Sequence, residues 1–291
     1  MKQCFLVAGH TFSFEADNAD VWKRMDNYVP FRTAPCDSPL FSLKVVPSLP
    51  KGESTVFMAV APMQDDEPRI DIYRLAGGWL FDMFPTAVSK ESYKLWTTQD
   101  FSEGQLQAWD PDLGGRFPAD NALMLMFAMR TATLDTLELH SSVTVKDGMA
   151  YLFLGRSGTG KSTHSRMWLE NIPGCHLLND DNPVLRVMPD GQIVVFGTPW
   201  SGKTPCYRNE QAPAGAFVAI RQCKENRIAR LPVLDSYAAL FSSSSGMRQV
   251  QSIADGMAAT FDKVLQNVPF YILDCLPDAD AARLCSSTVA L

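Results

Sequence analysis

Short apolar runs separated by turn signals dominate the first part of the chain. Stretches rich in Phe, Val, Ile and Trp are interrupted by Pro- and Gly-containing segments at 47–52, 77–78, 110–111 and 114–115, a pattern typical of β-strands joined by turns. Because no helix-like run intervenes, we expect antiparallel pairing and predict a β-rich N-terminal domain over residues 1–117. The predicted strands lie at residues 3–8, 11–14, 41–46, 56–60, 70–74, 92–97 and 105–109.

An almost uniformly apolar segment, Ala-Leu-Met-Leu-Met-Phe-Ala-Met, follows Asp120 and Asn121. Either polar residue can cap a helix N-terminus, so we predict a helix over residues 120–136. A helix that is apolar nearly all round is expected to be buried. We therefore predict a connecting helix between two domains, over residues 118–138, in which the methionines serve packing.

From residue 139 onward, strand-like runs alternate with helix-like runs. This alternation is typical of α/β folds, and we predict an α/β (α+β) chain with a second domain over residues 139–291. The Ser-rich segment 242–246 lies between two predicted helices and is either a mobile lid or a simple linker. The predicted strands are 139–145, 150–154, 176–178, 184–188, 192–196, 216–220, 228–231 and 270–273, and the predicted helices are 161–171, 233–240, 249–267 and 278–288.

Residues 155–162 read Gly-Arg-Ser-Gly-Thr-Gly-Lys-Ser. This segment fits Gly-x-x-x-x-Gly-Lys-Ser/Thr, the phosphate-binding loop (Walker A, or P-loop) of nucleotide enzymes. At average glycine usage, a chain of this length matches by chance roughly one time in a hundred. A predicted strand before the loop and a predicted helix after it provide the context that a phosphate site needs. The alternative is a Gly/Ser surface turn.

This loop is expected to bind a nucleoside triphosphate with Mg²⁺. Lys161 would reach the β- and γ-phosphates, and the Ser162 hydroxyl would hold the metal. The predicted nucleotide-binding residues are Gly155, Arg156, Ser157, Gly158, Thr159, Gly160, Lys161, Ser162, Thr163 and Lys203.

Two adjacent carboxylates, Asp180 and Asp181, follow the predicted strand at 176–178. One can bind Mg²⁺, and the other can accept the proton of an attacking hydroxyl; the sequence leaves open which does which. Neighbouring side chains on a strand point to opposite faces, so both reach one site only if the strand ends there. The break at Asn182-Pro183 favours such an end. The alternative is a solvated acidic turn.

Two further features are candidates for the same site. His140 begins a predicted strand and either orients an aspartate or is structural. Residues 196–203 read Phe-Gly-Thr-Pro-Trp-Ser-Gly-Lys and bring hydroxyls and Lys203 onto one loop. We expect that loop to clamp the γ-phosphate or an anionic substrate; the alternative is a stiff loop that holds a core tryptophan.

These motifs resemble the catalytic domain of bacterial HPr serine kinase/phosphorylase. The resemblance rests on Leu-His-Ser-Ser-Val at 139–143, the glycine loop at 155–162 and Asn-Asp-Asp at 179–181. It implies a P-loop kinase core in which Asp180, Asp181, His140 and Lys161 are catalytic. The loop is also similar to that of ATP-dependent phosphoenolpyruvate carboxykinase. The Glu-x-Arg-Gly segment of HPr kinases is missing, so the resemblance does not extend to HPr as the substrate.

Composition limits the cellular compartment and the classes of binding partner that we expect. The chain has 291 residues, a net charge of −6 and 46% hydrophobic residues, which argues against nucleic acid or an acidic membrane bound through bulk charge. Its seven cysteines include no Cys-x-x-Cys pair, so we expect reduced thiols in a cytoplasm. We find no apolar run long enough to span a membrane and no targeting segment, and predict a cytoplasmic protein.

The leading hypothesis is an ATP- and Mg²⁺-dependent kinase that transfers the γ-phosphoryl group to a hydroxyl of a small molecule or peptide. The alternative is a nucleotide-binding regulator or weak ATPase without a phosphoacceptor. The sequence leaves open the acceptor, the choice of ATP over another donor, the role of residues 1–117 and whether the chain forms an oligomer.

Overall fold

Two large mixed sheets, seven α-helices and one 3-10 helix are the regular elements of the described part of the chain, which comprises residues 1–59, 65, 67–202 and 204–290 of a computed structural model. The protein is therefore of the mixed α/β class, as predicted. The chain divides into two compact units, Met1–Arg130 and Thr131–Leu291. Among the described helices, none is long and apolar enough to cross a membrane.

The first unit is built around a nine-stranded sheet with the order β3-β1-β2-β4-β9-β8-β7-β6-β5. Its strands are β1 (Lys2–Val7), β2 (His10–Glu15), β3 (Arg32–Thr33), β4 (Phe41–Val46), β5 (Ser54–Ala59), β6 (Arg69–Leu75), β7 (Gly78–Phe84), β8 (Tyr93–Thr97) and β9 (Glu103–Gln107). Its helices are α1 (Ala19–Lys23), a 3-10 helix (Asp26–Phe31), α2 (Pro111–Gly114) and α3 (Phe117–Thr131).

The expected antiparallel pairing is found in six of the eight described strand pairs of this sheet and is wrong for the two pairs that involve β4. Strand β4 runs parallel to both β2 and β9. Short helices and β3 fill the chain between β2 and β4, and the β5–β8 meander fills the chain between β4 and β9. These connections are long enough for a crossover, which parallel neighbours require and a tight hairpin cannot supply.

Strand β7 was missed by the sequence interpretation, which took Gly77-Gly78 as a turn and predicted no strand after it. Residues 78–83 include only one position that is not buried, so the strand lacks the polar alternation that marks a half-exposed strand. Gly78 is already paired with Leu75, and a Cβ there would lie 2.0 Å from the Thr97 carbonyl oxygen.

Helix α3 covers Phe117–Thr131, so the predicted span of 120–136 was shifted toward the C-terminus. Neither predicted cap holds, because both residues lie inside the helix. The Asn121 amide donates to the Phe117 carbonyl at 2.9 Å, and Asp120 accepts from Asn27 at 3.1 Å. The apolar face of α3 packs on the first sheet, with the Phe127 ring edge-on to Phe12 at 6.1 Å.

The second unit contains a nine-stranded sheet with the order β10-β14-β15-β16-β12-β11-β13, extended by β18 beside β16 and β17 beside β18. Its strands are β10 (Thr136–Glu138), β11 (Ser141–Lys146), β12 (Met149–Leu154), β13 (His176–Asn179), β14 (Val184–Val187), β15 (Ile193–Phe196), β16 (Gln211–Gln222), β17 (Arg227–Arg230) and β18 (Phe270–Cys275). Its helices are α4 (Lys161–Asn171), α5 (Val233–Ser243), α6 (Gln251–Asn267) and α7 (Ala279–Val289).

Strand β16 joins the two parts of this sheet. Its first residues pair with β15, and its later part pairs in parallel with β12 and, from Phe217 onward, also with β18. The join is at Gly215, where a Cβ would lie 2.9 Å from the Tyr151 ring. A long strand that serves two neighbours in turn needs such a residue, because a side chain there would collide with the adjacent strand.

The core beneath helix α4 is aromatic. Trp168 is fully buried, and its ring centroid lies 5.2 Å from Tyr151 and 5.4 Å from Phe153, both on β12. Small residues of α7, including Ala281 and Cys285, complete the same cluster. This packing fixes α4 on the sheet and thereby fixes the position of the helix N-terminus at Lys161.

The strand directions bring the carboxyl ends of four strands to one edge of the sheet. Strands β12, β16 and β18 are parallel. Strand β13 is antiparallel to β11, which is antiparallel to β12, so β13 runs in the same direction as β12. The carboxyl ends of these strands are where open α/β sheets hold their ligands. The glycine loop follows β12 at this edge, and the aspartate pair follows β13.

Candidate functional site

The glycine loop leads directly from β12 into α4. Gly160 is the residue before the helix, with φ of 101° and no side-chain cap. Gly158 also has positive φ, at 76°, and a Cβ at either position would meet only open space. The glycines are therefore required for backbone conformation. The α4 N-terminus, with its uncapped N–H groups, is an anion-binding arrangement.

Lys161 is the first residue of α4, and its side chain turns back over the loop. Its ammonium group donates to the carbonyls of Gly155 at 2.9 Å and Arg156 at 3.3 Å. Burial lowers the pKa of Lys161, whereas the charges of Asp181 and Asp180 raise it. The side chain is only 8% exposed, so its cation lies in the loop rather than in bulk water.

Other loop residues differ in their surroundings. Thr159 bonds within the loop, since its hydroxyl donates to the Arg156 carbonyl at 2.8 Å. Arg156 and Ser157 are exposed, as is Ser162, and Thr163 is half-buried. From a neighbouring strand, the Gln222 amide donates to the Gly158 carbonyl at 3.0 Å.

Asp180 is the buried member of the carboxylate pair, at 5% exposure. Its Oδ1 accepts a hydrogen bond from the Ser142 hydroxyl at 2.8 Å. Its Oδ2 is buried without a hydrogen-bond partner. A buried carboxylate oxygen without a donor is costly and is suited to a cation.

Asp181 faces a different partner. One of its carboxylate oxygens lies 3.1 Å from Nδ1 of His140, and both side chains are partly exposed. The Asp181 amide donates to the Asn179 side chain at 2.9 Å, a bond that turns the backbone at the end of β13. The predicted strand end is therefore present. His140 lies just before β11 rather than inside a strand, because β11 begins at Ser141.

A second buried carboxylate, Glu138, lies two residues before His140 in the sequence. Glu138 ends β10 and is 1% exposed. Burial is the main cause that raises its pKa to about 7; Ser245 opposes this shift and the charge of Asp181 adds to it. The neighbouring segment 242–246 contains two buried residues, Ser243 and Ser244, and pairs through Ser244 with Leu139.

The loop after β15, described over residues 197–202, is attached to the end of β13. The Asn179 amide donates to the Thr198 hydroxyl at 3.0 Å and to the Trp200 carbonyl at 3.1 Å. A Cβ on Gly202 would lie 3.1 Å from that of Asp181. Thr198 is fully buried and its hydroxyl lies 2.7 Å from the Asn182 carbonyl, so it is structural rather than free to clamp a ligand. Lys203, the expected clamp, lies outside the described residues.

Two cavities flank the N-terminus of α4. The larger, of about 550 Å³, is lined on one side by Gly158, Gly160 and Thr163 and on the other by Gln222 and Pro277. The smaller, of about 180 Å³, brings together Ser162, Ser165, Asp180 and Thr204. The predicted metal residues Ser162 and Asp180 thus share one cavity, whereas Asp181 does not border it.

The donor set fits Mg²⁺ better than a transition metal. Within the described residues, no group of three His, Cys, Asp or Glu side chains is arranged to hold a metal. Mg²⁺ commonly takes one or two carboxylates with water and substrate phosphates. Ser162 and the free oxygen of Asp180 are suited to that coordination.

Sequence reasoning missed several residues that shape the site. Ser142, Ser165 and Asn179 hold the aspartates in place, and Gln222 supports the loop. Ser142 and Ser165 are separated by 23 residues and have hydroxyls only 2.6 Å apart. The clues in the sequence were Ser142 within the 139–143 motif and Asn179 beside the aspartate pair; an isolated serine such as Ser165 carries no sequence signal for such a contact.

No protein-family model matches the chain, and no curated protein does. Among solved structures, the HPr(Ser) kinase/phosphatase from Coxiella burnetii is similar over 53% of this chain and 93% of that chain, with 14% sequence identity and a TM-score of 0.30. These values indicate remote structural similarity alone.

Proposed function

We propose that the second unit is a P-loop phosphotransferase of the HPr-kinase-related type, which uses ATP and Mg²⁺ to phosphorylate a hydroxyl of a small molecule or peptide. The observation that carries the proposal is the convergence of three features at the N-terminus of α4: the glycine loop, the Lys161 ammonium and the unpartnered oxygen of Asp180. Each serves a separate requirement of phosphoryl transfer.

Phosphate binding, metal binding and proton transfer are assigned to different residues of the site. Loop N–H groups and Lys161 bind the phosphates and stabilise negative charge on the transferring group. Ser162 and Asp180 would hold Mg²⁺, which supplies further neutralisation of phosphate charge when bound. Asp181, more exposed and paired with His140, is the group we assign to accept the proton of the acceptor hydroxyl.

Several finer points belong to the same proposal. The larger cavity beside the loop offers room for the nucleoside. The free cysteines of the described chain fit a reducing compartment, and we propose a cytoplasmic enzyme. Because the Glu-x-Arg-Gly segment of HPr kinases is missing, we propose a hydroxyl compound other than HPr as the acceptor.

Calorimetry with purified protein tests nucleotide binding, and a phosphoryl-transfer assay over candidate hydroxyl compounds tests the reaction. Lys161→Ala should abolish transfer and weaken ATP–Mg²⁺ binding while leaving the fold intact. Lys146→Ala is the matched control, because Lys146 ends β11 at the opposite edge of the sheet. Absence of any binding heat for the unaltered protein, or full turnover by Lys161→Ala, contradicts the proposal. Binding and slow hydrolysis without a phosphorylated acceptor favour the regulator or weak ATPase.

A further inference from the structure

A chain of hydroxyl groups runs from α4 to the buried aspartate. The Ser165 and Ser142 hydroxyls are 2.6 Å apart, and Ser142 lies 2.8 Å from Oδ1 of Asp180. All three side chains are at least 95% buried: Ser142 is 0%, Ser165 1% and Asp180 5% exposed. Bonds of this kind are strong in the interior because solvent does not compete for them.

The direction of these bonds follows from the number of available protons. A serine hydroxyl has one hydrogen to donate, and an ionised carboxylate only accepts. Ser142 donates its hydrogen to Asp180. The contact between the serines therefore requires Ser165 to donate to Ser142. The chain has one polarity, from Ser165 through Ser142 to the carboxylate, and each bond strengthens the next.

Helix α4 carries both Ser165, which begins the hydroxyl chain, and Ser162, the predicted metal-binding residue. Ser162 and Ser165 are three residues apart on α4 and therefore lie on one helix face. Both border the small cavity that Asp180 also lines. With Oδ1 occupied by Ser142, the oxygen left without a partner is Oδ2. The orientation of the carboxylate is thus set relative to the helix that carries Ser162.

We propose that Ser142 and Ser165 are positioning residues that hold Asp180 in one rotamer and leave its second oxygen for the cation. This inference rests on the proposed function and assigns to both serines a role that is exerted through Asp180. Loss of either hydroxyl frees the carboxylate to rotate and leaves a buried oxygen without its donor. The expected consequence is weaker Mg²⁺ binding with unchanged contacts to the phosphates.

The test separates metal affinity from nucleotide affinity. Binding of a fluorescent, non-hydrolysable ATP analogue is measured first in EDTA and then across a Mg²⁺ titration. Ser142→Ala should raise the half-saturating Mg²⁺ concentration by about 10-fold, the scale seen when a partner that orients a metal ligand is removed. Affinity in EDTA should change by less than about 2-fold. Ser165→Ala should act in the same direction and less strongly, and it serves alone if Ser142→Ala fails to fold.

Ser141→Ala is the matched control. Ser141 is adjacent to Ser142 and equally buried, and its hydroxyl has no hydrogen-bond partner. The Mg²⁺ requirement of the Ser141→Ala variant should therefore not change. Because Ser165 acts through Ser142, the double variant should be no worse than Ser142→Ala alone, whereas independent effects would multiply. A normal Mg²⁺ requirement in both single variants, or multiplicative effects in the double variant, overturns the inference.

Asp180→Asn distinguishes failure of the inference from failure of the proposed function. If Asp180→Asn weakens Mg²⁺ binding and the serine variants do not, only the positioning role is wrong. If Asp180→Asn has no effect on Mg²⁺ binding, the metal site itself is misassigned and both fail.

Discussion

The Asp181 carboxylate lies 3.1 Å from Nδ1 of His140, while its neighbour Asp180 is bonded to Ser142 and buried. Two adjacent carboxylates therefore lie in different environments. In active sites, unlike surroundings are how paired carboxylates take unlike roles. We accordingly expect their substitutions to have distinguishable effects.

Asp181→Asn should lower kcat by roughly 10²-fold or more, the scale of a lost general base, with a nearly unchanged Mg²⁺ requirement. Asp180→Asn should instead raise the Mg²⁺ concentration needed for half-maximal rate. Steady-state kinetics at varied Mg²⁺ measures both. Two variants with near-normal kcat would remove the base assignment from the pair.

His140→Ala should lower kcat by about 10-fold, since a hydrogen bond to a charged group contributes about 1.5–3 kcal/mol and partial exposure reduces that contribution. His140→Gln keeps a donor near Asp181 and should recover part of the rate. ATP affinity should be equal in both variants. Equal kcat values for His140→Ala and the unaltered enzyme would show that the contact has no part in catalysis.

Gly160→Ala should weaken triphosphate binding and destabilise the fold by about 1–2 kcal/mol, because a residue with a Cβ is strained at positive φ. Gly191→Ala is a close control: Gly191 has φ of 86° with open space around it and lies in the β14–β15 hairpin. Both variants should lose similar stability in urea denaturation. Only Gly160→Ala should bind the triphosphate more weakly in calorimetry. An equal loss of affinity in both variants would point to a global change in the protein.

Glu138 should make the free energy of unfolding depend on pH. Its pKa is about 7 in the folded protein against an ordinary value of 4.5, so the folded state holds a proton that the unfolded state has released. Its unfavourable contribution is absent below about pH 4.5 and grows as the pH rises toward 7. The free energy of unfolding of Glu138→Gln should depend less on pH across this range. At pH 8 it should exceed that of the unaltered protein by roughly 1–3 kcal/mol. Parallel stability curves for the two proteins from pH 5 to 8 would contradict this.

Local patterns predicted the parts of the fold that are themselves local. The helix after the glycine loop was predicted at 161–171 and is observed at Lys161–Asn171. The short strand before the aspartate pair and the two strands that flank Gly191 were predicted from apolar runs, and all three are present. In each case one face of the element or one turn residue determines the structure without reference to distant residues.

Features that depend on distant partners were not predictable in this way. The parallel β2–β4–β9 arrangement depends on which strands meet after long connections, and β7 is buried too uniformly to show alternation. The hydroxyl chain to Asp180 joins residues on β11, α4 and the end of β13. The burial of Glu138 was likewise hidden, since a charged residue near a strand end ordinarily indicates exposure.

The inward fold of Lys161 onto the carbonyls of Gly155 and Arg156 has a thermodynamic consequence. An ammonium group that is already buried loses little further hydration when an anion binds to it, so the dehydration penalty of binding is small. The dehydration penalty is instead incurred when the polypeptide folds, and the incoming phosphate need only exchange places with two neutral oxygen atoms. The lysine is thus preorganised for its ligand, at the expense of conformational stability rather than affinity.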